Sequence, residues 1–193
     1  MDELKPYKSH FKKLEREVNK KPLIPMETYN GFLYYGQANV MVKTKVDAHV
    51  NQLESNADKL EMIDKRYFID ELYSHQITLD TKTFKNIFQI LPRGLKTNDY
   101  LKIKLNPDSI IMKPHESLRE LMKVKYTVDL GIEEPFMFAV NPIYVRDVLM
   151  LLSSLKIKSF KLKYTNSNLR PVMFEADDVQ VVVAPVRLRD MYM

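Results

Sequence analysis

Apolar residues fall at Leu4, Tyr7, Phe11, Leu14 and Val18, in alternating steps of three and four. At about 100° per residue that spacing draws one stripe along a helix. Pro6 sits in its first turn, where proline is tolerated. Pro22 and Pro25 then break the pattern. The stretch "METYNGFLYYGQANVMVKTKVDAHV" is aromatic and β-branched, punctuated by Gly31 and Gly36, and predicts two strands near 27–35 and 39–47. "NQLESNADKLEMIDKR" is polar and reads as a loop or irregular connection, and "YFIDELYSH" fits either strand or helix.

From His75 the pattern occurs twice. "QITLDTKTFKNIFQIL" leads to "DYLKIKLNPDSIIMKP", and "FMFAVNPIYVRDVLMLL" leads to "SFKLKYTNSNLRPVMFEA". Asp80 and Asn141 each close a short apolar strand and suit a helix N-cap, with Pro142 as a favoured first helical residue. Phe84, Ile87, Phe88 and Leu91 match Val145, Val148, Leu149 and Leu152, each set with the spacing of one buried helical face. "LKIKL" and "FKLKY" alternate strictly, as strands with lysines on their other face. Turns and further strands follow, ending in "LMKVKYTVDL" and "VQVVVAPVRL". The repeat has the form β-α-β-β-β, and the N-terminal third reads as a degenerate copy. Repeated helices against antiparallel strands predict an α+β fold, a layer of helices on a layer of sheet.

Composition narrows the function classes. The 193 residues suit one domain or little more. Cysteine is absent, which excludes disulfide frameworks and thiolate metal sites and suits a reducing compartment. No apolar run approaches a membrane span, and the N-terminus is charged from its second residue, so the expectation is a soluble cytoplasmic protein. Formal net charge is +5, which permits an anionic partner. On the first helix Lys5, Lys12 and Arg16 lie opposite the apolar stripe, with Lys8, Lys13 and Lys20 flanking them. On the second, Lys82 and Lys85 oppose the phenylalanines, and Arg93 follows its end. On the third, the outer positions hold Ile143, Arg146, Asp147 and Met150, which is no basic face. Lys5, Lys8, Lys12, Arg16, Lys20, Lys82, Lys85 and Arg93 therefore form the candidate phosphate-contacting set. Lysines without interleaved aromatics suit phosphate contact, not base reading.

Catalytic chemistry finds no foothold. His10, His49, His75 and His115 lack metal-ligand spacing and read as surface or turn residues. The glycines form no phosphate loop. Glu133–Glu134 and Asp177–Asp178 are sequence neighbours, which seldom converge across a cleft as general acid and base. There is no GxSxG elbow. No catalytic residue, metal or cofactor is expected.

The second repeat resembles a known family. "NPIYVRDVL" and "VVVAPVRL" are similar to the asparagine-led helix and the closing strand of the bacterial DNA polymerase III β sliding clamp. Asn141, Tyr144, Val145, Asp147, Val148 and Leu149 fit the first motif. Val182, Val183, Pro185, Val186, Arg187 and Leu188 fit the second, with Ala184 in place of a methionine. "TYNGFLYY" and "VDAHV" faintly resemble an earlier strand and loop, from which Ala48, Val50 and Asn51 depart. The resemblance implies a clamp fold, with residues 1–74 as an N-terminal half-domain and 75–193 as a C-terminal domain of two repeats, 75–133 and 134–193. It also implies a processivity factor that encircles double-stranded DNA. DNA polymerase and other clamp-binding-motif proteins would dock in a groove formed by Pro171, Val172, Val182, Val183, Ala184, Pro185, Val186, Arg187 and Leu188. A clamp loader is a further implied partner. If about twelve helices line the ring and each chain supplies three, the homo-oligomer is a tetramer. The rival readings are a clamp-fold interaction protein that forms no ring and competes for clamp partners, and an enzyme of unrecognised type.

Overall fold

The computed structural model describes residues 5–18, 22–37, 39–46, 57–90, 100–114 and 123–187. The first apolar stripe forms α1 (Lys5–Val18). The aromatic stretch forms three strands and not two: β1 (Ile24–Tyr29), β2 (Phe32–Gln37) and β3 (Val40–Lys45). The extra reversal lies at Asn30 and Gly31, whose φ angles of 49° and 77° are both positive. That is the backbone of a two-residue hairpin, and Tyr29 pairs directly with Phe32 across it.

The stretch read as a loop contains α2 (Ala57–Tyr67), and the ambiguous one holds a short 3-10 turn (Asp70–Leu72). The polar look of α2 has a physical cause. It fully buries only a narrow stripe, Leu60 and Ile63, with Asp64 and Tyr67 half-buried beside it and the other face toward solvent. The second unit comprises β4 (His75–Asp80), α3 (Thr81–Ile90), β5 (Leu101–Asn106), β6 (Ser109–Pro114) and β7 (Val124–Thr127). The third comprises β8 (Phe136–Val140), α4 (Pro142–Ser154), β9 (Ser159–Tyr164), β10 (Val172–Ala176) and β11 (Val179–Val183). Both N-caps are made. Asp80 Oδ1 accepts the amide of Thr83 at 2.7 Å, and Asn141 Oδ1 that of Ile143 at 2.9 Å.

The strands build two antiparallel sheets, ordered β1-β2-β3-β11-β10-β9-β4 and β7-β6-β5-β8. Each repeat lends its first strand to the other: β4 pairs with β9, and β8 with β5. The two repeats are therefore one interlocked body. The larger sheet also crosses from the first unit into the last, with Val42 opposite Val181.

One core lies between the sheets and the helices α1, α3 and α4. Helix α4 is the middle of that layer, in contact with α1 and α3. This corrects the reading of its outer face. Ile143 and Asp147 are buried, because α4 has a helix neighbour on each side and keeps only Arg146, Met150 and the serines near its end toward water. Phe11 of α1 stacks on Tyr35 of β2, centroids 3.8 Å apart and planes 4° apart. Tyr7 of α1 bonds Thr44 of β3 through their hydroxyls at 3.0 Å. His10, expected at the surface, is half-buried on α1. Burial and nearby Lys13 hold its pKa down, at about 4. His75 keeps its surface place at the start of β4, stacked on Tyr164. His49 and His115 lie outside the described residues. Among the described residues no helix is long and apolar enough to cross a membrane.

Candidate functional site

Two surfaces carry the chemistry. The first is the solvent side of the helix layer. Lys5, Lys8, Lys12 and Arg16 are exposed along α1, and Lys82 is exposed at the start of α3. Lys85 is half-buried and donates to Ser153 Oγ of α4 at 2.9 Å, so it also ties two helices together. Lys13 plays the matching part on the other flank. Its ammonium lies 3.8 Å from Asp147 and donates to the Met150 sulfur at 3.4 Å. Lys20 and Arg93 lie outside the described residues. The exposed cations thus stand on the two outer helices, and Arg146 is the cation of the middle one.

The second surface is the far face of the seven-stranded sheet. A second apolar cluster forms there, with Ile24, Tyr34, Met173 and Val182 of the sheet meeting Leu60 and Ile63 of α2 and Phe68 beyond it. Two buried lysines fasten this cover. Lys43 of β3 pairs with Asp64 of α2, and its ammonium also lies 4.4 Å from the Phe32 ring centroid. Lys163 of β9 pairs with Asp70 of the 3-10 turn at 2.9 Å and with Glu175 of β10 at 2.6 Å. Burial opposes the charge on Lys163, but the hydrogen bonds it donates to Glu175 and Asp70 outweigh it and raise its pKa. Tyr34 donates to Asp64 at 3.0 Å, and burial with that carboxylate pushes its hydroxyl pKa up.

The cover leaves one end of the sheet open. Where β2 and β11 end and β3 and β10 begin, a groove of about 1120 Å³ runs over the strands. Ile24, Met41 and Val182 contribute to its floor, α2 forms one wall with Met62, Ile63 and Tyr67, and the 165–171 turn contributes Leu169 and Pro171. Its volume exceeds the usual range of a small-molecule pocket and suits an extended segment.

Of the residues assigned to a groove from sequence, Pro171, Val182, Ala184, Pro185 and Arg187 line it. Val172 and Val183 do not. They are 1% and 0% exposed and point to the opposite face, into the core under the helices. The cause is the two-residue alternation of β10 and β11, which sends Val182 outward and Val183 inward. Val186 is absent from the lining. Its amide donates to the Ala139 carbonyl of β8 at 2.7 Å, while the Ala184 amide donates to Asn39 at 2.8 Å. Those two bonds hold the segment after β11, with Pro185 between them supplying no donor. Leu188 and the loop with Ala48, Val50 and Asn51 lie outside the described residues.

Sequence reasoning missed the α2 wall and the rim residues Leu23 and Leu169. One signal was present: Leu60, Ile63 and Tyr67 are spaced i, i+3, i+7. Among the described residues no group of three or more His, Asp or Glu side chains gathers where a metal ion would be held.

With three helices packed against two antiparallel sheets, the chain has a fold similar to that of bacterial DNA polymerase sliding clamps. No family model matches the chain, and no curated protein matches it. Among solved structures it is similar to the DNA polymerase sliding clamp of Pseudomonas aeruginosa, at 10% identity and a TM-score of 0.62 over 84% of this chain and 58% of that one. It is similar to the Helicobacter pylori beta clamp bound to a DNA ligase peptide, at 18% identity and a TM-score of 0.54 over 83% of this chain and 42% of that one. The Caulobacter crescentus sliding clamp gives 14% identity and a TM-score of 0.52 over 81% and 41%. The chain therefore spans about half the length of the clamps it matches. At these identities the likeness carries the fold.

Proposed function

We propose that the chain is the subunit of a cytoplasmic, non-catalytic sliding clamp, a processivity factor for DNA replication. Copies of it close a ring around duplex DNA, and the groove beside β11 tethers DNA polymerase and other clamp-binding-motif proteins. A clamp loader would open and seat the ring. One observation carries this reading: a cationic helix layer and an apolar groove lie on opposite faces of the same sheet. A protein that slides must hold DNA without fixing its register. Exposed lysines on α1 and α3 attract phosphates while reading no bases. The groove, on the far side, stays open to a partner while DNA occupies the hole. The ligase peptide in the Helicobacter pylori clamp supports a peptide occupant for it.

Residues 1–74 act as a half-domain and 75–193 as a full clamp domain in this proposal. With three helices per chain, a ring of about twelve helices is a tetramer.

A second reading is favoured by a specific observation. The groove as described is built within one chain, so a clamp-fold protein that forms no ring would still bind and compete for clamp partners. Light scattering with and without circular duplex DNA separates the two. A closed oligomer retained on circular DNA and lost when the circle is cut supports the clamp. A monomer at micromolar concentration with no retention overturns it in favour of the competitor.

A further inference from the structure

The apolar groove beside β11 carries a charge pattern of its own. Among the described residues, Lys59, Arg66, Arg170 and Arg187 line it, against a single carboxylate, Glu71. They come from three separate places: α2, the 165–171 turn and the segment after β11. Arg66, Arg170 and Arg187 are exposed, and among the described residues none of the three is in an ion pair. This contrasts with the cations deeper on the same face, Lys43 and Lys163, which are both neutralised by carboxylates. The apolar rim is concentrated here as well. Of the six exposed large hydrophobic residues described, four border the groove: Leu23, Met62, Leu72 and Leu169.

From this charge complementarity we infer that the groove takes an extended peptide whose apolar anchors are flanked by aspartates or glutamates. The inference rests on the groove being the peptide site proposed above and adds the class of peptide. The apolar side chains fill the floor over Ile24, Met41 and Val182. The acidic flanks meet Arg66 and Lys59 along one wall and Arg170 and Arg187 at the other places. A peptide with basic flanks is repelled from all of them. Rim charges act chiefly on encounter rate and on the choice among partners, and salt screens them. Discrimination by flanking charge is therefore greatest at low ionic strength.

The test uses the full chain and three fluorescein-labelled decapeptides with the same central leucines, whose flanks are Asp/Glu, Ser/Gly or Lys. Anisotropy is read at 50 mM and 500 mM salt. The acidic peptide is expected to bind at least tenfold more tightly than the neutral one at 50 mM, with the Lys peptide weakest. The gap is expected to shrink to about threefold or less at 500 mM. The Arg66→Glu/Arg170→Glu variant, folded by circular dichroism, is expected to prefer the Lys peptide. Equal affinity for acidic and neutral peptides overturns this inference and leaves the groove reading in place. Failure of all three peptides at millimolar concentration overturns both. Binding that appears only after deletion of residues 188–193 would make the chain's own tail the occupant. Displacement of bound peptide by an oligo-dT would make the cations a nucleic-acid site. Either result overturns the assignment to an acidic partner peptide.

Discussion

The Lys43 ammonium of β3 and the Tyr34 hydroxyl of β2 both bond the same oxygen of Asp64, on α2. That carboxylate is the fastening between the seven-stranded sheet and the helix that covers its far face. Asp64→Ala leaves a buried ammonium and a buried hydroxyl without their acceptor. We expect a loss of about 1–3 kcal/mol in chemical denaturation. Lys43→Met should cost less, because it removes the charge that needs pairing. Since α2 is also a wall of the groove, Asp64→Ala should weaken peptide binding. Unchanged stability and unchanged binding together would show that α2 is held by apolar packing alone.

The Phe11–Tyr35 stack fixes α1 to the sheet. Phe11→Ala removes a side chain that is 2% exposed and leaves a cavity beneath the helix. A loss of about 3–5 kcal/mol is expected by thermal or urea unfolding. Phe11→Leu should retain most of the difference. If alanine costs less than about 1 kcal/mol, α1 is not part of the cooperative core.

Reversal of Lys5, Lys12, Arg16 and Lys82 to glutamate should abolish retention on circular DNA with little change in melting temperature, since all four side chains are exposed. For the unaltered protein, the logarithm of affinity should fall linearly with the logarithm of salt concentration, by about 0.9 per phosphate neutralised. A charge-reversed chain that stays on DNA as long as the original would place the DNA contact on some other surface.

His10 gives a pH dependence whose direction is set by its lowered pKa. The folded chain holds this imidazole neutral to about pH 4, whereas an unfolded histidine titrates near 6.5. Its contribution is therefore fully present above about pH 6.5 and is lost as pH falls from there toward about 4, where the unfolded state binds the extra proton. The loss across that window is on the order of 3 kcal/mol. His10→Gln should flatten that part of the stability profile, measured by urea unfolding at half-unit pH steps. An identical profile for the variant would remove His10 as the cause.

Local chemistry by itself settled much of this protein. The stripe from Tyr7 to Leu14, the matched sets on α3 and α4 and the caps at Asp80 and Asn141 are interactions between residues a few positions apart. A one-dimensional pattern records such interactions faithfully. The repeat and the α+β class followed from them, and the clamp resemblance from the motifs "NPIYVRDVL" and "VVVAPVRL". The groove was legible in part. Alternation shows that Val182 and Val183 face opposite ways, but it does not show which of the two faces the helices. Only the tertiary structure decided that, because it depends on which layer covers which face of β11. It also decided that β4 and β8 change places between sheets. Each strand buries the same alternate residues beside either neighbour, so its own sequence does not record the partner. The same holds for α2. Its two buried residues, Leu60 and Ile63, are too few to mark a helix against polar flanks, and they acquire their meaning from a cluster assembled by β1, β2, β10 and β11. The wall of the groove was therefore fixed by packing across distant parts of the chain, which the short spacing of Leu60, Ile63 and Tyr67 does not record.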